Sequence, residues 1–421
     1  MKAPTEQATK VILAGVHLKS NDLVATSESM AELRALALTL DLDIVAEMVQ
    51  QKDHLDSRSY LGKGKLEELA ALAKERAAEI LIIDGELSPN QAKVIEQAME
   101  IMVLDRSQLI LEIFSEHART PESRDQVELA RLHYMLPRLV GMWAHLDREA
   151  GGIGLSRGMG EKQINIDRTL TRNRIAKLEK DLTRVEAQRA TQAKRRKLQF
   201  TVALVGYTNA GKSTLLQGIT GKGEGGENKL FATLESTTRK LTGITKPEIL
   251  LSDTVGFIQN LPHHLIASFR STLSVVREAD LLLQVVDAAS PIRAQQIQTT
   301  EEALIEIGAD QIPRLMVMNK IDLLQDPVEE IILKKTFPKA LLVSSLDAKS
   351  LDGLKEKIAE FFKQEMRATE LRLSLDQAKH LPQIYQLCMV DEVNYEENAI
   401  VLNIHATPAH WGRVQKLLEE P

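Results

Sequence analysis

An α/β fold organised around a phosphate-binding loop is predicted for this 421-residue chain by two observations. Strand-like and helix-like segments alternate through the first 120 residues, a pattern typical of a parallel sheet. A buried strand then ends abruptly at Gly206 in a glycine-rich loop that opens a helix. The predicted order is a small parallel α/β domain at 1–120, a helical hairpin at 121–198, a P-loop domain at 199–364 and a small α+β domain at 365–421.

The composition is that of an ordinary globular chain, with 43% hydrophobic and 27% charged residues. The apolar runs are too short for a membrane span, and the first ten residues lack the apolar core of a signal peptide. A single cysteine, Cys388, excludes an internal disulfide framework and suits a reducing compartment. We therefore expect a cytoplasmic protein without stable membrane insertion, in which Cys388 is a packing residue.

The N-terminal domain is predicted from strands at 10–17, 42–49, 80–84 and 101–104, and from helices at 28–38, 62–77, 88–99 and from 107 onward. Ser88 is predicted to cap its helix, with Pro89 at the first helical position. The loop Gly62-Lys63-Gly64-Lys65 could hold a phosphate, although such a loop more often simply opens a helix.

A helical hairpin follows, predicted from long helical stretches at 123–146 and 164–197. The glycines of segment 151–160 interrupt the helical pattern between them and form the predicted tip. A heptad-like apolar seam on the second stretch, suited to one partner helix, consists of Ile175, Leu178, Leu182 and Val185. The preceding helix is the expected partner.

The charge of this hairpin differs from that of the rest of the chain. Residues 157–197 hold thirteen basic and five acidic residues, a local net charge of +8 in a chain of net charge −6. Such asymmetry indicates a localised contact with a polyanion such as RNA, although a solvated helix face is the simpler alternative.

The segment 200–215, FTVALVGYTNAGKSTL, contains Gly206, four intervening residues and then Gly211-Lys212-Ser213-Thr214, which is the Walker A spacing. Backbone N–H groups of such a loop point at phosphate oxygens, and the helix dipole adds positive potential. Lys212 is expected to reach the β- and γ-phosphates, and the Ser213 hydroxyl to ligate Mg²⁺.

Two further motifs follow strand-like runs in the order that a GTPase requires. Asp253-Thr254-Val255-Gly256 places a carboxylate near the Mg²⁺ shell and a Gly256 N–H near the γ-phosphate. Asn319-Lys320-Ile321-Asp322 selects guanine, because the Asp322 carboxylate accepts hydrogen bonds that adenine cannot donate, while the Lys320 stem covers the ring. The three motifs together predict a P-loop GTPase domain.

The switch regions carry the remaining predictions about hydrolysis. Thr238 is the preferred candidate for closing over Mg²⁺, with Thr237 second, and Ser344-Ser345-Leu346 lies where a guanine-contacting loop belongs. Phe257 occupies the position at which many GTPases carry a water-orienting Gln. The simpler interpretation is that Phe257 packs the second switch against the domain and that hydrolysis uses another group. In either case the usual water-positioning side chain is missing, so we expect slow intrinsic turnover that a binding partner raises by positioning the water.

The segment beyond residue 365 is predicted as a βαββα unit, with elements at 371–375, 377–388, 390–395, 399–405 and 408–418. Nothing in its residues suggests chemistry.

Taken together, these motifs resemble the HflX family of ribosome-associated GTPases over about residues 45–365. The resemblance rests on the segments SRSYLGKGK, DGELSPN, RDQVELARLHYMLPRL, RGMGEKQINIDR, GYTNAGKST, ATLESTTR and DTVGF. The chain departs from the family pattern at Met159, where Pro is usual, and at Glu235-Ser236, where Asp-Pro is usual. These departures bear on loop stiffness and on the first switch.

The resemblance implies a nucleotide site with Mg²⁺ bound by Ser213 and Thr238, and with Lys212, Thr238 and Gly256 acting in hydrolysis. The implied nucleotide contacts are Gly206, Tyr207, Thr208, Asn209, Ala210, Gly211, Lys212, Ser213, Thr214, Phe231, Ala232, Thr233, Asp253, Thr254, Val255, Gly256, Asn319, Lys320, Asp322, Ser344, Ser345 and Leu346. The resemblance further implies a monomer that binds the large ribosomal subunit and ribosomal RNA, and that splits or rescues ribosomes under stress. The ribosome is then the partner expected to raise the turnover.

Two other functions remain open at the level of the sequence. One is a GTP-binding scaffold that hardly hydrolyses. The other is an NTP-driven RNA remodeller, which would need a second nucleotide site in the N-terminal domain.

Overall fold

The computed structural model describes residues 8–20, 23–139, 157–195, 200–221, 230–231, 237–243, 248–258 and 270–419. The chain groups into two units. The first, here called the N-terminal unit, consists of Met1–Glu186, Glu227–Glu235 and Ile258–Thr272. The second, the GTPase unit, consists of Ala187–Gly226, Ser236–Phe257 and Leu273–Pro421.

The N-terminal unit is built on a parallel sheet of four strands in the order β2-β1-β3-β4, counting the described residues. The strands are β1 (Lys10–Leu18), β2 (Asp43–Lys52), β3 (Ile80–Ile83) and β4 (Met102–Asp105). The helices between them are α1 (Leu23–Thr39), α2 (Lys63–Arg76), α3 (Pro89–Met99) and α4 (Arg106–His117). The predicted small parallel α/β fold is thus confirmed.

Helix α3 begins as its sequence predicts. The Ser88 side chain accepts a hydrogen bond from the Gln91 backbone N–H, the Gln91 Oε1 accepts one from the Ser88 N–H, and Pro89 stands in the first turn. This capping box satisfies backbone groups that the helix leaves without partners. At α2, the Gly62 N–H instead donates to Gln50 Oε1 at 2.9 Å, so the loop 62–65 opens a helix with one amide already engaged.

The helical hairpin pairs α5 (Pro121–Met135) with α6 (Arg157–Arg195). The predicted seam is confirmed for three of its four residues, because Ile175, Leu178 and Leu182 form one apolar cluster with Leu129 of α5, whereas Val185 is only half-buried. Leu132 and Leu136 pack against the same cluster.

Two features of the predicted hairpin differ from the structure. Helix α5 ends at Met135, because Pro137 has no N–H to continue the hydrogen-bond ladder, so the predicted helical stretch 123–146 is interrupted there, and its residues 140–146 lie outside the described residues. Helix α6 begins at Arg157, so Gly158 and Gly160 are helical although they were predicted to break the helix. Glycine lowers helix stability by only about 1 kcal/mol, which the rest of a 39-residue helix can offset. Residues 140–156, with the first part of the glycine motif, lie outside the described residues.

The GTPase unit contains a sheet of six described strands in the order β10-β9-β8-β5-β7-β6, of which β6 alone runs antiparallel to its neighbour. The strands are β5 (Phe200–Gly206), β6 (Thr238–Lys240), β7 (Ile249–Asp253), β8 (Leu281–Asp287), β9 (Arg314–Asn319) and β10 (Leu341–Leu342). The helices are α7 (Lys212–Thr220), α8 (Arg270–Arg277), α9 (Arg293–Glu306), α10 (Pro327–Thr336) and α11 (Ala348–Glu365). Strands β5, β7 and β8, together with helices α7 and α11, supply most of the buried apolar core.

The C-terminal segment forms the predicted βαββα arrangement. Its antiparallel strands, in the order β11-β13-β12, are β11 (Arg367–Ser374), β12 (Met389–Glu396) and β13 (Ala399–Ala406). A 3-10 turn (Leu375–His380) leads into α12 (Leu381–Leu387), and α13 (Pro408–Glu419) closes the segment. Cys388 is buried in its apolar cluster, which confirms the packing role. In the part of the chain that is described, no helix has the length and apolarity needed to span a bilayer.

Candidate nucleotide site

The loop between β5 and α7 needs glycine at two positions. Gly206 has φ of 149°, and a Cβ there would lie 2.2 Å from the Val285 carbonyl oxygen. Gly211 has φ of 89°, and a Cβ there would lie 2.3 Å from Asn319 Nδ2. The backbone therefore follows a path that a side chain would block, and it delivers Lys212 to the first position of α7.

Lys212 is buried at the centre of this loop. Its Nζ donates to the carbonyl oxygens of Gly206 at 3.0 Å and Tyr207 at 2.8 Å. Burial lowers the pKa of the Lys212 ammonium to about 8, although the negative charge of Asp253 opposes the shift. The ammonium is thus held by two neutral acceptors, which phosphate oxygens of higher charge could replace.

Ser213 and Asp253 meet beside Lys212. The Ser213 Oγ donates to Asp253 Oδ2 at 2.6 Å, and the other carboxylate oxygen accepts from the Thr254 N–H at 3.0 Å. The Thr254 hydroxyl donates to the Leu204 carbonyl oxygen at 2.6 Å, which ties this loop to β5. The first two motifs of the sequence are therefore joined through side chains, and they present several oxygens of the type that Mg²⁺ prefers.

The segment after Asp253 is fastened to the phosphate loop by its backbone. The Phe257 N–H donates to the Gly206 carbonyl oxygen at 3.1 Å, and the Thr208 N–H donates to the Phe257 carbonyl oxygen at 2.7 Å. The Phe257 side chain is buried. This burial supports the predicted packing role of Phe257. A Cβ on Gly256 would lie 3.0 Å from Lys212 Nζ, so this glycine passes close to the ammonium.

Asn319 links the guanine motif to the phosphate loop. Its Nδ2 donates to the Ala210 carbonyl oxygen at 2.9 Å, and its Oδ1 accepts from the Ser345 N–H at 3.0 Å. The side chain is completely buried. Asn319 therefore holds three separate loops together, and it lies at the C-terminal end of β9, where ligands bind in doubly wound sheets.

Asp322 and Lys320, the two residues predicted to contact the base, interact with different side chains. Ser344 Oγ donates to Asp322 Oδ1 at 2.5 Å, while the Leu346 N–H donates to Ser344 Oγ at 3.3 Å. Lys320 Nζ lies 2.7 Å from Asp287 Oδ2. The sequence analysis missed Asp287, although its position at the end of an apolar strand matches that of Asp253 and was a usable signal.

The remaining residues predicted to contact the nucleotide differ in their burial and in the part of the chain to which they belong. Tyr207, Thr208, Ala210 and Val255 are buried, Asn209 is exposed with φ of 57°, and Thr214 is half-buried. Thr238 lies on β6, and its Oγ1 is 2.8 Å from Ser252 Oγ. Phe231 belongs to the N-terminal unit, and Ala232 and Thr233 lie outside the described residues. The assignment of these residues to the nucleotide remains a prediction.

The N-terminal unit has its own polar cluster at the carboxyl ends of its strands. Arg106, which is 3% exposed, forms ion pairs with Glu32 and, at 2.8 Å, with Asp84. Ser29 Oγ also donates to Asp84 Oδ2 at 2.6 Å. The Tyr60 hydroxyl donates to the Asp84 carbonyl oxygen at 3.0 Å, and burial raises its pKa to about 12. The charged groups of this cluster are thus paired with one another.

Next to that cluster, Asp105 is held in a comparable way. Its carboxylate accepts from the backbone N–H groups of Gln108 at 2.9 Å and Leu87 at 3.1 Å, and it pairs with Arg138 Nη2 at 3.0 Å. Burial raises the pKa of Asp105, while these hydrogen bonds and Arg138 oppose the shift. The guanidinium of Arg138 also lies 3.5 Å from the centre of the Tyr134 ring.

The glycine loop, the Ser213–Asp253 pair and the guanine motif define a P-loop GTPase. Family comparison extends this assignment over most of the chain. Residues 27–115 match the model described as "GTP-binding GTPase N-terminal", residues 117–196 the "GTP-binding GTPase Middle Region", and residues 201–320 the "50S ribosome-binding GTPase".

Individual relatives agree with these matches. The GTPase HflX of Caldanaerobacter subterraneus is 40% identical over 90% of this chain and 88% of its own length. That of Escherichia coli K12 is 38% identical over 94% of this chain and 93% of its own length. The chain belongs to the HflX family of GTPases. Among solved structures, a GTP-binding protein of Sulfolobus solfataricus in complex with GDP aligns over 84% of this chain and 99% of its own, at 25% identity and a TM-score of 0.45.

Proposed function

We propose that this protein is a ribosome-associated GTPase that binds the large ribosomal subunit and splits or rescues stalled ribosomes under stress. In this proposal it acts as a monomer in the cytoplasm and contacts ribosomal RNA through α6 and the glycine motif that precedes it. The match of residues 201–320 to a family described as "50S ribosome-binding GTPase" supports the partner. The distribution of charge on α6 is the observation that carries the RNA contact.

Helix α6 uses its apolar seam for α5, and several cations among its described side chains stand elsewhere on its surface. Arg174 pairs with Glu128 of α5 through two contacts at 2.7 and 2.6 Å. By contrast, Arg172, Lys177 and Lys180 are exposed. Because the seam already accounts for the packing of this helix, the excess of positive charge is available for phosphates. Phosphate contacts of this kind position a protein on RNA without reading its sequence.

At the nucleotide site, Lys212 is proposed to exchange its two carbonyl acceptors for the β- and γ-phosphates. Ser213 and Thr238 are proposed to hold Mg²⁺, with the Asp253 carboxylate orienting the Ser213 hydroxyl. Bound Mg²⁺ would neutralise charge that develops on the phosphate oxygens. The Gly256 N–H would meet the γ-phosphate.

Hydrolysis in the isolated protein is proposed to be slow, because Phe257 can neither donate nor accept a hydrogen bond through its side chain. Water positioning and stabilisation of the transition state are then completed by the ribosomal partner. Each factor of ten in rate corresponds to about 1.4 kcal/mol of barrier. We expect turnover to rise at least tenfold with purified large subunits, and Lys212→Ala and Ser213→Ala to abolish the rise. Fast turnover alone, with no stimulation, would contradict this mechanism.

The RNA contact is tested by sedimentation with large subunits over a series of salt concentrations. Neutralising Arg172, Lys177 and Lys180 together to Ala should weaken binding and reduce the slope of log affinity against log salt by about 2–3, since each phosphate contact contributes about 0.7–0.9. The matched control replaces three exposed lysines of the GTPase unit, Lys335, Lys339 and Lys349. GTP affinity should stay unchanged in both triple variants. Equal effects of the two triples would leave α6 with a structural role only.

A further inference from the structure

Helix α10 of the GTPase unit turns most of its apolar residues outward. Val328, Ile331 and Ile332 are 53%, 65% and 51% exposed. Leu333 is the buried one among the large apolar side chains of this helix, and it packs in an apolar cluster of the same unit. A surface helix normally packs its apolar side against the core, so the arrangement here is reversed. Contiguous exposed apolar surface of this kind marks an interaction site, whereas single exposed apolar residues do not.

The exposed apolar residues lie on one face of α10. Together with the exposed Lys335 they follow the spacing i, i+3, i+4 and i+7, which repeats on one side of an α-helix. At about 100° per residue, the centre of this face lies about 150° around the helix from Leu333. We call Val328, Ile331, Ile332 and the methylene stem of Lys335 the α10 stripe. A lysine stem covers apolar surface while its ammonium stays in water.

The charges beside the stripe have opposite signs at its two ends. Glu329 and Glu330 stand in the first turn of α10, and Lys334 and Lys335 in the last. On one flank, Lys334 Nζ lies 2.6 Å from Glu330 Oε1, with both side chains partly exposed. This polarity suits the helix dipole, but the dipole does not account for the apolar residues between the charges.

We propose that the α10 stripe is a self-association surface, and that its occupant is the α10 stripe of a second copy of this chain. The two helices pack antiparallel about a two-fold axis that passes between positions 331 and 332. The same patch then serves both copies, as in other two-fold dimers. The acidic end of each helix meets the basic end of the other, whereas a parallel pair would bring like charges together.

The contacts of this pair follow from the spacing of the stripe. At the axis, Ile331 of one copy meets Ile332 of the other. Towards the ends, Val328 lies against the stem of Lys335. On the flank, Glu330 and Lys334 of the two copies form a network of four alternating charges. Every exposed apolar side chain of α10 is covered in this arrangement.

The size of the surface limits the strength of the association. A helix of ten residues is about 15 Å long, and two such helices bury less than the roughly 1,600 Å² of a standard stable interface. The pairing is therefore weak and reversible, and it describes the free protein at high concentration. It uses a different helix from the ribosome contact proposed for α6, and the copy that acts on the large subunit is a monomer.

Sedimentation velocity of the full-length protein from about 1 to about 200 µM tests the pairing, because a dimer forms by mass action. The sedimentation coefficient should rise with concentration, with half-association at about 10–100 µM. Replacing Ile331 and Ile332 together by Ser should weaken association by at least about tenfold, since each change removes apolar area from the interface twice. The matched control is Ile305→Ser on α9, which removes one isoleucine of 64% exposure and should change nothing.

Charge reversal identifies the occupant. Glu329→Lys with Glu330→Lys, and Lys334→Glu with Lys335→Glu, should each weaken self-association by at least about tenfold, because like charges then face each other. An equimolar mixture of the two variants should restore it, since every facing pair is again of opposite sign. A stripe that docks a different molecule gives no such recovery. GTP affinity should stay unchanged in all variants, because none of these residues belongs to the nucleotide site.

The register is tested by mild oxidation of two single variants. Ile331→Cys should form a disulfide-linked dimer, because its two copies are offset by only about 1.5 Å along the helices. Val328→Cys should not, since its copies are offset by about 10 Å and a disulfide does not span that distance. A wild-type protein that stays monomeric over the whole concentration range, or a mixture that fails to recover, overturns the proposal. Loss of large-subunit binding in the double Ser variant of a monomeric protein would assign the stripe to the ribosome instead.

Discussion

The sheet of the GTPase unit and the sheet of the N-terminal unit both carry acidic residues at the carboxyl ends of parallel strands. The edge in the GTPase unit is open to a ligand, whereas the edge in the N-terminal unit is closed by side chains of the chain itself. In the GTPase unit, Asp253 and Asp287 end β7 and β8 and bond Ser213 and Lys320. In the N-terminal unit, Asp84 directly follows β3 and Asp105 ends β4, and they bond Arg106 and Arg138. The first edge is surrounded by glycine backbone that a ligand can approach, whereas the second is filled by arginines of the chain itself.

The difference between the two edges shows what a carboxylate at the end of a strand needs in order to form part of a binding site. At the GTPase edge, the loop around Lys212 offers only carbonyl oxygens as partners, so a charged ligand improves on them. At the N-terminal edge, Arg106 already has two carboxylates, and any anion would compete with charges held at contact distance. A second nucleotide site, as an RNA remodeller would need, has no support from this cluster.

The largest effect on this comparison is expected from a change of Asp322, the carboxylate predicted to select the base. Asp322→Asn should lower GTP affinity by about 10³-fold or more and favour xanthine nucleotides, because the pattern of donors and acceptors inverts. Competition binding with GTP, XTP and ATP measures the effect. An unchanged preference for GTP over ATP would remove Asp322 from the site.

The closed edge of the N-terminal unit is tested through stability. Arg106→Met leaves Glu32 and Asp84 buried without their cation, and breaking a buried pair in this way costs about 3–5 kcal/mol. Denaturant unfolding of full-length protein should show this loss, while GTP affinity stays unchanged. Arg372→Met is the control, since its pair with Glu396 is exposed and contributes about 0–1 kcal/mol. Equal losses in both variants would contradict the assignment.

The open edge of the GTPase unit, where Lys212 lies, should affect how the free energy of unfolding depends on pH. Because burial lowers the pKa of Lys212 from 10.5 to about 8, the unfolded chain binds one more proton than the folded chain between these pH values. The unfolding free energy of nucleotide-free protein should therefore rise with pH across this window, relative to Lys212→Met, by up to about 3 kcal/mol. Below pH 8 the cost of the buried charge is fully present. Bound GDP should abolish the difference, and parallel curves without nucleotide would refute it.

The smallest expected effect concerns Asp287, which the structure places against Lys320. Asp287→Asn should weaken GTP and ITP by the same factor of about five, since loss of a partly exposed ion pair costs about 1 kcal/mol and Lys320 covers the ring face. Asp322→Ala should instead weaken GTP more than ITP, because hypoxanthine lacks the exocyclic amine. A change in the GTP/ITP ratio in Asp287→Asn would give Asp287 a different role.

Local patterns were sufficient to predict much of this molecule. The Walker A spacing, the Ser88 cap and the seam of Ile175, Leu178 and Leu182 each depend on residues close in sequence. The pairing of Arg106 with Glu32 could not be predicted, because the two residues are 74 positions apart and meet only once the sheet has formed. The contact of the Phe231 ring with Phe114 could not be predicted either, because these two residues are 117 positions apart.

The side chain of Asn319 has a consequence for the kinetics of nucleotide exchange. One buried amide bonds both Ala210 and Ser345, so it links the loop predicted to hold the phosphates to the loop predicted to hold the base. We therefore expect the two loops to open together and GDP to leave in a single event. A factor that accelerates GDP release would then gain no advantage from freeing the base first. It would have to act on the backbone bonds between Gly206, Thr208 and Phe257, which hold the other wall of the pocket.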